Sequence, residues 1–237
     1  MKKNGLQYLI VFLLFLNSHN LSSQSLNDTF DNIYLKELNF ENIALKERIK
    51  NFPDDAKMLN SRIAQELRDK DYTSALQLTI TLDSILPNNA DVKNFKGKMY
   101  YKLNNIDSAL TSFDEAIQLD GTNKWFYLNK AGLLSDTNMY YKALQTIEDL
   151  LKIAPNWGIA YNSKAILLLS FNQDEEAMLN YNIALEKEPK SAQILTNRGD
   201  LFLKMRNKKQ AILDYKKALE VQPDYIHAKE QLELLSK

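Results

Sequence analysis

His19 and His227 are the only histidines in the 237-residue chain, and the chain has no cysteine. Thiolate nucleophiles, disulfides, thiolate metal sites and lipid attachment through cysteine are therefore excluded. General acid–base chemistry near neutral pH has few groups to draw on. Carboxylates do stand side by side, at Asp114–Glu115 and Asp174–Glu175–Glu176. A paired-carboxylate hydrolase needs them across a cleft, which neighbours on one helix do not supply. The run at Asp174 fits the first turn of a helix, where the helix dipole favours acids, better than a metal site. There is no glycine-rich phosphate loop, His-Glu-x-x-His or nucleophile elbow. His227, near the chain end, is expected on the surface. The sequence predicts a chain that is not an enzyme, with no catalytic residue, no cofactor and no metal.

The chemistry left is that of binding, and charge bounds the partner. Lys+Arg and Asp+Glu number 30 each. No basic field exists to collect nucleic acid, so none is expected as a partner. Apolar residues make up 45% of the chain, with only 6 glycines and 5 prolines, the balance of a folded helical protein. Lys2 and Lys3 precede an apolar stretch from Leu6 to Leu16 and a polar run ending in Ser22, Ser23 and Ser25. That order predicts a signal peptide over residues 1–25, hence a periplasmic or secreted protein. The stretch falls short of the roughly 20 residues of a bilayer crossing. Membrane contact is expected only if the segment stays uncleaved.

What positions the binding residues is a repeat. Ala75, Ala109, Ala143, Ala177 and Ala211 stand 34 residues apart. The same step relates Thr79, Phe113, Ile147, Tyr181 and Tyr215, and also Leu82, Ala116, Leu150, Ala184 and Ala218. Pro87, Gly121, Pro155, Pro189 and Pro223 close each period. Gly97, Ala131, Ala165 and Gly199 form a small-residue column, which Ile63 breaks in the first period. Columns in one register predict a stack of helix pairs. Small residues sit where two helices cross closely, and rings are expected to fill the space between one pair and the next. Asn104, Asn138 and Asn172 fall at the turns, where asparagine tolerates a left-handed backbone. The prolines end second helices.

These columns, with Tyr100, Leu134, Leu168 and Phe202, resemble the tetratricopeptide repeat. The resemblance covers residues 56–225 as five units: 56–89, 90–123, 124–157, 158–191 and 192–225. It implies an all-α, right-handed α-solenoid of antiparallel helix pairs. In the 56–89 unit Ile63, Glu66 and Thr79 are off pattern. Residues 26–55 are expected to form a degenerate helix pair over the N-terminal end. Residues 226–237, with Ile226, Leu232 and Leu235 on one face, are expected to form a C-terminal capping helix, since an uncapped solenoid exposes an apolar face.

The resemblance further implies that first helices line a concave face where peptides or partner helices bind. The family's groove columns fall on Lys57, Asn60, Arg68, Asn94, Lys98, Tyr101 and Lys102 at the N-terminal end. In the middle they fall on Trp125, Leu128, Ile159, Asn162, Ile166 and Leu169. At the C-terminal end they are Gln193, Thr196, Asp200 and Lys204. Such a groove is cationic at one end and apolar in the middle, and suits a segment with acidic residues beside apolar ones. Ile166 and Leu169 fit packing between repeats equally well. Trp125 lies outside the core columns, and tryptophan is enriched at binding hot spots. Trp157 serves either as a contact or as a cover for the inter-repeat loop. Arg62, Lys96, Lys130, Lys164 and Arg198 form a basic column, expected as a solvated ridge whose stems cover the crossing. Family members that clamp a chaperone's C-terminal carboxylate use Asn and Lys one helical turn apart. The matching pairs here, Asn60 with Ala64, Asn94 with Lys98 and Leu128 with Gly132, do not fit that pattern. The expected function is a non-catalytic protein–protein scaffold of the cell envelope. The alternative is an obligate structural subunit of an envelope or secretion assembly.

Overall fold

The computed structural model describes residues 30–236. The signal peptide expected at residues 1–25 lies outside the described residues. Among them there are twelve α-helices and no strand. The first is α1, Asn32–Lys50. Five pairs follow: α2 Asp54–Arg68 with α3 Tyr72–Ile85, α4 Ala90–Lys102 with α5 Ile106–Leu119, α6 Lys124–Asp136 with α7 Tyr140–Ile153, α8 Gly158–Ser170 with α9 Asp174–Lys187, and α10 Ala192–Lys204 with α11 Lys208–Val221. The last is α12, Ile226–Leu235. None of these helices is long and apolar enough to cross a membrane.

Each pair turns in the same way. Lys70, Asn104, Asn138, Asn172 and Arg206 all have φ near +60°. The N–H of each bonds three residues back, and the next N–H bonds five residues back, as with Asn104 to the Tyr101 carbonyl and Asn105 to that of Tyr100. This closes the first helix and satisfies carbonyls it would otherwise orphan. Asparagine marks three of the five turns; Lys70 and Arg206 adopt the same backbone without that signal. The residue after the turn often caps the second helix, as Asp71 does to the Ser74 N–H and Asn207 to that of Gln210.

The chain divides into two compact units, one from Glu41 to Ile153, the other joining residues up to Phe40 with those from Ala154 onward. Thus α1 gives its first turns to the second unit and its last to the first. In the first unit α3 stacks on α4 and α5 on α6. In the second, α9 stacks on α10 and α11 on α12. Ala75, Ala109, Ala143, Ala177 and Ala211 are each 0% exposed.

The crossing explains why those positions are small. A Cβ on Gly97 would stand 2.8 Å from the Phe113 ring and 3.2 Å from the Ala109 carbonyl oxygen. In the second unit a Cβ on Gly199 would stand 2.5 Å from the Tyr215 ring. The ring column therefore packs on the small residue of its own pair and also reaches the next element as expected, Phe113 clustering with Leu133 and Tyr215 with Tyr225 and Ala228. In the first pair the sizes are exchanged. Ile63 occupies the small position, Thr79 the ring position, and both are buried. Thr79 turns its hydroxyl onto the Ala75 carbonyl at 2.7 Å, which satisfies it inside its own helix. Total volume is kept, which a core tolerates.

Two expectations about the ends are corrected. Over residues 26–55 the described part holds one 19-residue helix, not a worn pair. Asn39 and Asn42 stand inside it without taking a positive φ, and Phe30, Tyr34 and Leu38 make one buried stripe at four-residue steps. At the other end Leu232 and Leu235 of α12 pack on the core around Leu195 and Tyr215, while Ile226 remains 37% exposed.

Replacing Ala177 by arginine forces a long cation into this closed crossing. We expect a loss of several kcal/mol, on the order of the combined cost of overpacking and charge burial. Thermal melting followed by circular dichroism reads it, and an unchanged melt would contradict the register of the crossing.

Candidate partner-binding face

The first helices of adjacent repeats meet along a polar seam. In the first unit Asn129 of α6 donates to Asn94 of α4 at 2.8 Å. In the second, Asn197 of α10 donates to Asn162 of α8 at 3.0 Å. Asn94, Asn129 and Asn162 are buried, and buried amides must be paired, so the seam fixes the spacing of the first helices. In each unit part of α1 is bonded at the starts of first helices.

In the first unit the last turns of α1 are held by charge. The Arg48 guanidinium grips both oxygens of Asp91, at 2.6 and 2.9 Å, and reaches Glu41 at 2.7 Å. Glu41 in turn accepts from Asn123 at 3.2 Å, which sets α1 beside the first turn of α6. Burial drives the Lys98 ammonium down to about 8, against the opposing pull of Glu41 and Asp91. Trp125 and Leu128 are 3% and 2% exposed. Tyr101 donates its hydroxyl to Asp136, and burial keeps that carboxyl above its ordinary range.

In the second unit the start of α1 is held by one carboxylate. Asp31 is 1% exposed. One oxygen caps α1 itself, accepting from the Tyr34 N–H at 2.9 Å. The other accepts from the Ser191 hydroxyl and, at 3.2 Å, from the Gln193 N–H, both at the N-terminus of α10. A single carboxylate thus satisfies the open ends of two helices. Burial pushes this carboxyl up, and the hydrogen bonds oppose that shift. The Asn32 N–H donates to Gln222 at 2.9 Å, and the Phe30 and Tyr34 rings stack at 4.4 Å.

Comparison with known proteins agrees with this geometry. Tetratricopeptide repeat models match residues 90–123 and 192–225, each one turn-to-turn helix pair. Those two stretches are tetratricopeptide repeats. Solved structures share the fold at low identity. MamA 41-end from Desulfovibrio magneticus RS-1 is 20% identical, with a TM-score of 0.61 over 72% of this chain and 97% of its own. YrrB, a tetratricopeptide repeat protein described as having an unusual peptide-binding site, is 18% identical, with a TM-score of 0.56 over 80% and 98%. PilW, described as a widely conserved type IV pilus biogenesis factor, is 17% identical, with a TM-score of 0.60 over 72% and 79%.

The predicted groove residues fall into two classes. Lys98 in the first unit feels Glu41 of α1, and Gln193 in the second donates its N–H to Asp31, while Asn94, Trp125, Leu128, Ile159, Asn162 and Thr196 are buried on their first helices. Ile166 and Leu169 are partly exposed on α8. The others lie elsewhere. Lys57 pairs with Asp54 at 3.4 Å, Arg68 bonds to Gln65, and Asn60 is partly exposed. Lys102 sits 6.0 Å over the Tyr72 ring, and Lys204 pairs with Asp174 at 2.6 Å. Trp157 is buried at the N-cap of α8. Asp200 accepts from Tyr215 at 2.7 Å and meets His227 at 3.1 Å. His227 lies at the surface as expected, its side chain 41% exposed, and also ties α12 to α10. The basic column is not a bare ridge: Lys96 pairs with Asp83, Lys130 with Asp114, and Arg198 with Asp214. Sequence reasoning missed Asp31, Glu41 and Arg48. Their signal was a stretch keeping only Leu45 and Pro53 of the repeat columns yet carrying an acid just before an apolar stripe.

Two outcomes follow. Trp125 is buried, so Trp125→Ala should cost about 3–5 kcal/mol in chemical denaturation, the usual range for such a truncation. The carboxylate of Asp200 raises His227 above its ordinary value. Its contribution is full below the unfolded histidine value, about 6.5, and fades as pH rises through the higher folded value. Melting measured from pH 6 to pH 9 should therefore fall more steeply for the parent than for His227→Gln. Parallel curves would refute the coupling.

Proposed function

We propose that this chain is a non-catalytic interaction scaffold of the cell envelope, holding a peptide or helix of a partner protein on its first-helix face. The observation that carries it is that this face, in each unit, already holds a helix. Open backbone donors at the α10 N-terminus and the desolvated Lys98 suit acidic groups of a helical segment, and Asp91 suits a cation. The peptide-binding site for which YrrB is described supports the binding role. The dibasic start, apolar stretch and serines of residues 1–25 support export. The pilus role given for PilW is in keeping with an envelope address.

A second reading, an obligate subunit of an envelope or secretion assembly, draws on Leu179 and Leu213. They stand one repeat apart on second helices of the second unit and are 62% and 51% exposed. Photo-crosslinking side chains placed at Ile166, Leu169, Leu179 and Leu213 in the native host separate the two. Crosslinks to one partner peptide from the first-helix positions, with little from the leucines, are expected. Crosslinks confined to Leu179 and Leu213 would replace the scaffold reading with the subunit reading.

A further inference from the structure

The segment on the second unit's first-helix face is held in the manner of a ligand. Only Phe30, Asp31, Tyr34 and Leu38 of it are buried, while Asn32, Lys36, Asn39 and Phe40 face solvent. Its fixed points are one carboxylate on the α10 N-terminus, one N–H on Gln222, and an aromatic–aliphatic stripe. It shares none of the repeat columns, so it is not part of the stack's periodic packing. The geometry points to α1 being a resident ligand: the face under its first turns is a receptor for a partner helix of the same chemistry, and α1 must leave before that partner binds. This rests on the scaffold reading above and specifies its partner. That partner is an amphipathic helix opening on an aromatic residue and an aspartate, with an aromatic and an aliphatic residue at the next four-residue steps.

Each part of this description has a physical source. The aspartate is required because Ser191 and Gln193 present donors at a helix start, where the dipole also favours an anion. The four-residue steps follow from one helix face meeting one strip of surface. The resident helix departs in part because a nineteen-residue helix is marginal alone and local elements open below the global unfolding free energy. While α1 is seated, the competent fraction is small, and apparent affinity for a partner falls by that fraction.

The test uses the full chain and a fluorescent synthetic peptide of residues 30–50. The partner is represented by this peptide, and the receptor by the parent and by a Tyr34→Ala/Leu38→Ala chain whose own helix has lost its anchors. Anisotropy should show the peptide binding the double variant at least tenfold more tightly than the parent. A peptide with Asp31→Ala should bind the variant at least fivefold more weakly. Equal affinity for both chains, or no binding to the variant, would overturn the proposal. Hydrogen exchange on the parent needs no variant: amides of α1 must exchange faster than those of α8 and α10. Exchange of α1 only together with α8 and α10 would also overturn it. Dimerisation of the parent that Tyr34→Ala abolishes would assign the face to a second copy and overturn the partner assignment. A peptide that fails while first-helix crosslinks persist removes this inference alone; loss of those crosslinks removes the scaffold reading.

Discussion

The closeness of approach within each helix pair governs everything built upon it. Where Gly97 faces Phe113 and Gly199 faces Tyr215, the helix axes come near enough that even a methyl group would collide with a ring. That approach sets the angle of the pair and puts the alanine column out of contact with water. It also decides which faces remain for other uses. The second helices spend their inner side on the crossing, and the first helices keep a strip that the crossing does not consume. On that strip the asparagines pair at nearly equal distances in both units, 2.8 and 3.0 Å. A repeated backbone geometry thereby yields a repeated polar seam.

Beside these first helices α1 is held by contacts of unusual composition. In the second unit its hold combines one buried carboxylate with three large side chains. In the first unit its hold is a fork of Arg48 on Asp91 and Glu41, with Ile49 packed at the edge of the core. A bidentate guanidinium–carboxylate contact fixes geometry more than it adds stability, since half-exposed ion pairs contribute only about 0–1 kcal/mol. Asp31 differs. It is closed off from water, so truncating it would strand the donors at the α10 N-terminus as well as uncap α1.

Much of the fold was legible because sterics wrote it into the sequence. A position that admits only glycine or alanine repeats as such, and five positions of one register give the period directly. The turns were legible where asparagine occupied them, and hidden at Lys70 and Arg206, where tertiary packing imposes the left-handed backbone on residues with no taste for it. The exchange of Ile63 with Thr79 was invisible in either column alone, since volume is conserved only across the pair. The candidate face was half legible. Its floor follows from the period, but its occupant does not. Long-range contacts such as Asp31 with Ser191, separated by 160 residues, leave no spacing to read. Trp125 was placed by its type, and burial is not a property of type.

Self-occupation changes what affinity means for such a protein. If seating α1 is favourable by about 3 kcal/mol, a partner for the same face binds roughly a hundredfold more weakly than to a bare face. The arrangement then rejects segments that match only the apolar stripe, because they must also replace the bonds of Asp31 to Ser191 and Gln193. Specificity comes from that comparison between two ligands and not from the face alone. A segment with an acid at its first turn regains those bonds, whereas one without it leaves buried donors unpaired and incurs their desolvation. The polar anchor at residue 31, more than the larger apolar area around it, therefore sets which helices can take the place of α1.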